Sequence, residues 1–285
     1  MICRPNGFKL AMSGCGASLI HPIWILTAAH CFKKEKMVPP QMFVDGWVRA
    51  YISTEKVVPG FSDKEFLRQY VDEAYIHPNY VYEKTELGER TQNDVAVAKL
   101  KNPFEKPIDT ITLHEGGYPE ICKVGTIIGK GVVNFEGKIP KLVQYSPIRI
   151  KTEDQLSMQL DITDHRAFYS EVGWFEGHPL QGDSGGPFIC EDRGYYPIQY
   201  GIISRDITVN ETRIVISIYE NVEHYMWFIR RYVPLEYLRK KAHRVKKKHQ
   251  NDTKHPEQEV KSVIEDIDGT KQREQENPSL INQAI

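Results

Sequence analysis

The sequence predicts an all-β domain, a barrel or a sandwich, followed by a charged tail. Three observations predict it. Short β-rich runs recur with Gly and Pro punctuation up to about residue 238, the pattern of a chain built from many short strands. Helical periodicity is confined mainly to one stretch near 221–233. Beyond about residue 238 the aromatic residues vanish and Glu, Gln, Lys and Asn take over.

The predicted strands run in order as "ASLI" at 17–20, "WILTAAH" at 24–30, "RAYIST" at 49–54 and "DVAVAKL" at 94–100. They continue as "TIIGKGVV" at 126–133, "IRIK" at 148–151, "PFIC" at 187–190, "IQYGIIS" at 198–204 and "RIVISIY" at 213–219. The stretch "NVEHYMWFIRRYV" then places Val222, Tyr225, Met226 and Ile229 at three- and four-residue steps, which predicts one amphipathic helix packed on the domain. No internal repeat is visible. The boundary falls at residue 238, with the domain over 1–238 and the tail over 239–285. The tail carries too little apolar surface to offset its ordering entropy and is expected to be disordered. Its basic run, "LRKKAHRVKKKH" at 238–249, is a solvated segment, a processing site or a polyanion-binding element.

The 285 residues allow one large domain or two small ones, and a hydrophobic fraction of 40% supplies a sizeable core. A net charge of −1 gives no reason to expect nucleic acid as a partner. No apolar run is long enough to span a membrane. Five cysteines leave at least one thiol unpaired within the chain, with Cys3 the expected leftover. The sequons "NET" at 210–212 and "NDT" at 251–253 are compatible with secretion. The first twenty residues lack the clean apolar run of a signal peptide, so the protein is expected either to be intracellular or to start further upstream.

Three residues invite a chemical reading. Ser184 sits in "QGDSGGPF" at 181–188, a stretch with little side-chain bulk. It is either part of a surface turn or a nucleophile whose backbone N–H groups must approach a substrate. A serine hydroxyl needs a base, and the base an orienting group. His30, one of ten histidines, ends an apolar β-type run in "ILTAAHC" beside Cys31. Alone it reads as a buried core histidine; with a base's task it would be the proton acceptor. A bond from Cys31 to Cys15 would close a loop of about fifteen residues, stabilising by roughly 3 kcal/mol and fixing the backbone that carries it. Asp94, in "QNDVAVAKL", is a turn residue at a strand start or a buried carboxylate that accepts the imidazole N–H.

"TAAHC", "NDVAVAKL" and "GDSGGP" occur in the order His, Asp, Ser. With "CGASLIHPIWILTAAHC", "IHPNY" at 76–80, "YGIIS" at 200–204 and "YENVEHYMWFI" at 219–229, the chain resembles the trypsin/chymotrypsin-like serine proteases over roughly residues 5–234. The resemblance implies two six-stranded antiparallel Greek-key β-barrels with a C-terminal helix, and a serine endopeptidase that uses no cofactor and no metal. It implies that Ser184 attacks the scissile carbonyl, that His30 acts as general base and acid, and that Asp94 orients His30. It places the oxyanion hole at the N–H groups of Gly182 and Ser184. It pairs Cys15 with Cys31 and Cys122 with Cys190, and it implies secretion. It implies protein or peptide substrates, protein inhibitors and an upstream activating protease. The substrate backbone would pair with Ser204, Arg205 and Asp206 as an added strand.

Several positions depart from the family pattern. The floor of the primary specificity pocket falls on His178, where trypsins carry aspartate, and Leu180 replaces a pocket-bracing cysteine. The usual Trp-Gly after Ser204 is Arg205-Asp206, and Ser217 stands where a pocket-wall glycine is common. Cleavage after Arg or Lys is therefore not supported. The family's "IVGG"-like start, whose freed ammonium pairs with the aspartate before the nucleophile, is absent. That aspartate is Asp183, whose burial without a cation would be expensive. An N-terminus that is incomplete, another cation, or a zymogen-like state each accounts for this. A non-catalytic homologue acting as a binding or regulatory module is the alternative to the protease.

Overall fold

The computed structural model describes residues 2–5, 12–32, 41–43, 49–51, 68–85, 88–104, 108–116, 122–134, 136–138, 140, 143–157, 166–192, 196–209 and 212–234. The chain divides into one compact unit, Met1–Pro234, and a second, Leu235–Ile285. The tail expected from residue 239 onward, its basic run and the sequon at 251–253 lie outside the described residues.

The strands are β1 (Ile2–Pro5), β2 (Met12–Cys15), β3 (Ser18–His21), β4 (Trp24–Thr27), β5 (Gln41–Phe43) and β6 (Arg49–Tyr51), followed by β7 (Arg68–Ile76), β8 (Val81–Thr85), β9 (Gly88–Gln92) and β10 (Ala96–Leu100). The later part supplies β11 (Thr112–Leu113), β12 (Val124–Gly129), β13 (Gln144–Arg149), β14 (Ala167–Gly173), β15 (Pro187–Asp192), β16 (Tyr196–Val209) and β17 (Ile214–Asn221), then the helix α1 (Met226–Tyr232). The first sheet has eight strands in the order β2-β1-β6-β7-β10-β4-β3, with β5 also on β7. The second has seven in the order β13-β12-β15-β16-β17-β14, with β11 on β16 in parallel. β8 and β9 form a separate hairpin. The all-β expectation holds, but the sheets have eight and seven described strands rather than six each. Short segments such as β5 and β11 add themselves to the longer strands β7 and β16.

Each sheet has its own apolar core. The first gathers Ile25, Phe32, Val71, Ile76, Leu100 and Phe104. The second gathers Ile148, Phe168, Phe188, Ile203 and Tyr219, with Cys122 and Cys190 among them. In β10, four of the five residues are buried, so the strand reads as a near-continuous apolar run rather than a clean alternation. Polar contacts join the sheets. Ser18 Oγ donates to Gln199 Oε1 at 2.5 Å, and the Gly16 N–H donates to the Ser184 carbonyl at 2.7 Å.

The C-terminal helix is shorter than the sequence pattern predicts. Asn221 ends β17 and accepts the Glu223 N–H with its side chain; a 3₁₀ turn, Val222–Tyr225, precedes α1. Asn is a favoured capping residue because its oxygen satisfies an N–H that has no partner inside the helix. The spacing of the buried face is nevertheless as expected, with Val222, Tyr225, Met226 and Ile229 all buried.

Candidate active site

The site lies where the segments before β10 and after β4 meet the segments around β15 and β16. His30 sits in a 3₁₀ turn, Ala29–Cys31, directly after β4. Ala28 and Ala29 are both fully buried, and their small side chains let the turn close against the core. The Cys15–Cys31 disulfide ties this turn to β2. Cys31 Sγ in turn lies 3.6 Å from the carbonyl oxygen of Ser184.

Asp94 is fully buried. Asn93 before it adopts a left-handed backbone, φ 52°, a conformation that Asn tolerates better than most side chains. Asn93 is held there by its own Nδ2 donating to the Asn79 carbonyl at 2.8 Å and by Arg166 Nη1 donating to its Oδ1 at 2.7 Å. The turn delivers the Asp94 carboxylate to His30 from two directions. The His30 N–H donates to Oδ1 at 2.8 Å, and His30 Nδ1 lies 2.6 Å from Oδ2. Ser204 Oγ donates to the same Oδ2 at 2.7 Å. Ser204 is the extra residue of a β-bulge, since Ile203 pairs with Tyr219 and Arg205 already with Ile218. A bulge re-aims a side chain, and here it turns a hydroxyl toward the carboxylate. Burial pushes the Asp94 carboxyl up, but the His30 charge and the hydrogen bonds from His30 and Ser204 outweigh it and hold the group below its usual range.

Ser184 and His30 line one cleft of about 320 Å³ with Thr91, Leu180, Gln181, Ser204, Arg205 and Asp206. Gly182 takes φ +100°, and the Asp183 N–H donates to the Leu180 carbonyl at 3.0 Å. Together these define a type II turn, which needs a positive φ at its third residue and favours glycine there. Neither the Gly182 nor the Ser184 N–H has a backbone acceptor among the described residues. On β16, the ladder with β15 ends at Ile202, just before Ser204–Asp206 in the same strand.

Asp183 points the other way. Its Oδ1 accepts the Gly131 N–H at 2.7 Å and its Oδ2 the Leu180 N–H at 3.0 Å. It lines a second cavity, of about 450 Å³, with Gly129, Trp174, Phe175 and His178. Burial pushes its carboxyl up, against the pull of the two N–H donors. Among the described residues no lysine or arginine forms an ion pair with it.

The other sequence-derived candidates divide. Arg205 and Asp206 line the His30–Ser184 cleft. His178 lines the Asp183 cavity instead, with its Nδ1 2.8 Å from the Glu176 carbonyl oxygen. Ser217 is fully buried beside Asp206 in the β16–β17 ladder and lines neither cavity. Cys122 and Cys190 form the second disulfide. Cys15, His30 and Cys31 lie within metal-ligand distance of one another, but both sulfurs are committed to the disulfide and offer no thiolate. The sequence reading missed Thr91, whose Oγ1 lies 3.1 Å from Ser204 Oγ, and Glu220, which accepts the Asp94 N–H. Glu220 directly follows the strand run predicted at 213–219, and nothing local distinguishes it.

A family model described as Trypsin matches residues 3–229. Protein masquerade of Drosophila melanogaster is 30% identical over 199 residues, which cover 67% of this chain and 18% of that protein. Transmembrane protease serine 11G of Rattus norvegicus is 27% identical over 226 residues, covering 76% of this chain and 48% of the relative. Urokinase-type plasminogen activator of Gallus gallus is 26% identical over 206 residues, covering 67% and 44%. The aligned part thus spans less than half the length of each of these relatives.

Proposed function

Because the chain belongs to the trypsin family, we propose that it is a serine endopeptidase that cleaves protein or peptide substrates through an acyl-enzyme. Family membership supports serine protease activity in general terms; the individual steps are part of the proposal. The observation that carries the reading is the 2.6 Å contact between His30 Nδ1 and a buried Asp94 carboxylate, in a cleft that Ser184 also lines.

In the proposed sequence, Asp94 fixes the His30 tautomer with the proton on Nδ1, which leaves Nε2 as acceptor. Ser184 Oγ forms a bond to the scissile carbonyl carbon while Nε2 takes its proton. Asp94 stabilises the imidazolium, and the developing oxyanion accepts from the Gly182 and Ser184 N–H groups. Collapse breaks the C–N bond as Nε2 returns the proton to the leaving amine. Water then repeats the cycle on the ester. The substrate backbone adds as a strand along Ser204–Asp206, beyond the point where the β15 ladder ends at Ile202. The paired cysteines and the family suit a secreted protein, with protein inhibitors and an activating protease as partners.

The test is covalent labelling of the full, processed chain with a serine-directed fluorophosphonate. Wild type is expected to label and Ser184→Ala is not. Labelling that survives in Ser184→Ala assigns another nucleophile and removes the mechanism.

One observation favours a second reading, a binding or regulatory homologue held in a zymogen-like state. The half-buried Asp183 carboxylate is met by backbone N–H groups, and no lysine or arginine forms an ion pair with it among the described residues. A processed wild-type chain that fails to label would favour that reading.

A further inference from the structure

Glu220 is a carboxylate with 2% exposure on β17, paired across the ladders with Ile202 of β16 and Ala167 of β14. A buried carboxylate is costly and persists only when its oxygens are well satisfied. Both are. One oxygen, Oε1, accepts the Asp94 N–H at 3.1 Å, and the other accepts the Tyr225 hydroxyl, itself on a residue with 1% exposure. Arg205 supplies positive charge nearby: burial lowers its pKa, while attraction to Glu220 and Asp94 acts against that.

We propose that Glu220 is a positioning residue for the His30–Asp94 pair, a role that rests on the hydrolase reading above for its kinetic consequence but not for its geometry. Asp94 belongs to the chain leading into the first sheet, and Glu220 to the second sheet. The side chain of Asp94 is engaged by His30 and Ser204, and these bonds alone leave its main chain free to tilt. Glu220 takes the main-chain N–H in a charge-assisted bond, and Tyr225 fixes Glu220. The carboxylate therefore leaves a backbone anchored on both sides, immediately after the left-handed Asn93. The carboxylate binds the strand entrance through one oxygen and the 3₁₀ turn through the other.

The test uses the full chain and two readouts. One is the rate of Ser184 labelling by a fluorophosphonate. The other is the downfield proton resonance of the His30 Nδ1–H held by Asp94, which reports that bond directly. Glu220→Ala, checked for folding by circular dichroism, is expected to slow labelling on the order of 10²-fold and to shift or broaden the resonance. Glu220→Gln keeps an acceptor for the Asp94 N–H and is expected to recover both. A folded Glu220→Ala with unchanged resonance and labelling overturns the proposal. Should Glu220→Ala not fold, Glu220→Leu decides, because it keeps the side-chain bulk and removes the acceptor of the Asp94 N–H: an unchanged resonance there overturns the role equally. A wild type that shows the resonance but never labels sinks the hydrolase reading instead, and Glu220 is then judged on the resonance alone.

Discussion

Ser204 Oγ donates to Asp94 Oδ2 at 2.7 Å, the same oxygen that lies 2.6 Å from His30 Nδ1. The hydroxyl comes from a bulge in the second sheet and the carboxylate from the entrance of a strand in the first. Ser204→Ala is expected to cost about 1.5–3 kcal/mol, the range for a hydrogen bond to a charged group, measured by urea unfolding at pH 7. The Asp94 carboxyl is held below its usual range, so its stabilisation is present above the ordinary Asp value and lost as pH falls through the lower folded-state value. The gap between variant and wild type should narrow across that fall. A gap that stays constant into strong acid would mean that the hydroxyl acts elsewhere.

His77 gives a second pH signature. Its ring is 4% exposed and stands edge-on to Tyr225, Trp227 and Phe228 with centroids 5.2–5.4 Å away. Burial, with help from Arg166 and His224, pushes its pKa down from 6.5 to about 4. Between these values the unfolded chain binds a proton that the folded chain refuses, so stability falls as pH drops from about 6.5 to about 4 and levels below. The full loss is about 3 kcal/mol. Thermal melts of His77→Gln should have a flatter slope over this window; an unchanged slope would assign the titration to another group.

Gly129 bears on the Asp183 carboxylate. A Cβ built there would stand 2.0 Å from Asp183 Oδ1, so Gly129→Ala must push the carboxylate aside. Overpacking of this kind costs about 1–3 kcal/mol. Because Asp183 follows Gly182, labelling of Ser184 should also fall by about 10²–10³, the cost of losing one oxyanion donor. Gly116→Ala, where a Cβ meets nothing within 4 Å, should leave both unchanged. Comparing labelling rates and melting temperatures of the two variants checks this.

The two disulfides close loops of different length, with sequence separations of 16 for Cys15–Cys31 and 68 for Cys122–Cys190. Chain entropy assigns about 3 kcal/mol to the shorter and about 4 kcal/mol to the longer. Replacing Cys122 and Cys190 with Ala is expected to destabilise more. Replacing Cys15 and Cys31 should slow Ser184 labelling more, since that bond braces the turn holding His30. Denaturant midpoints and labelling rates on the two double variants separate the effects; the reverse ranking in labelling would detach the first disulfide from the site.

Much of the strand pattern was legible because neighbouring apolar residues mark buried strands whatever they pack on. "WILT", "AVAKL" and "PFIC" all lie in strands. The nine residues of β7 escaped notice although they sit at the centre of the first sheet. A bulge opposite Lys99 and Leu100 breaks their alternation: Val71, Ala74 and Ile76 face the core while Asp72 is exposed. β14 was also missed, as was the β8–β9 hairpin, whose charged and polar residues conceal any period.

Local chemistry written along the chain determined which residues were candidates: a hydroxyl among glycines, an imidazole beside a cysteine, a carboxylate at a strand entrance. Their order carried the family. Only the tertiary structure decided which groups meet. It turned Ser204 through a bulge onto Asp94, sent His178 to the Asp183 cavity rather than the Ser184 cleft, and placed Glu220 against the Asp94 amide. The physical reason is separation: 126 positions divide Asp94 from Glu220, and a hydrogen bond of that span leaves no mark on the residues between. It exists only once two sheets have packed and the backbone has chosen where each bulge falls.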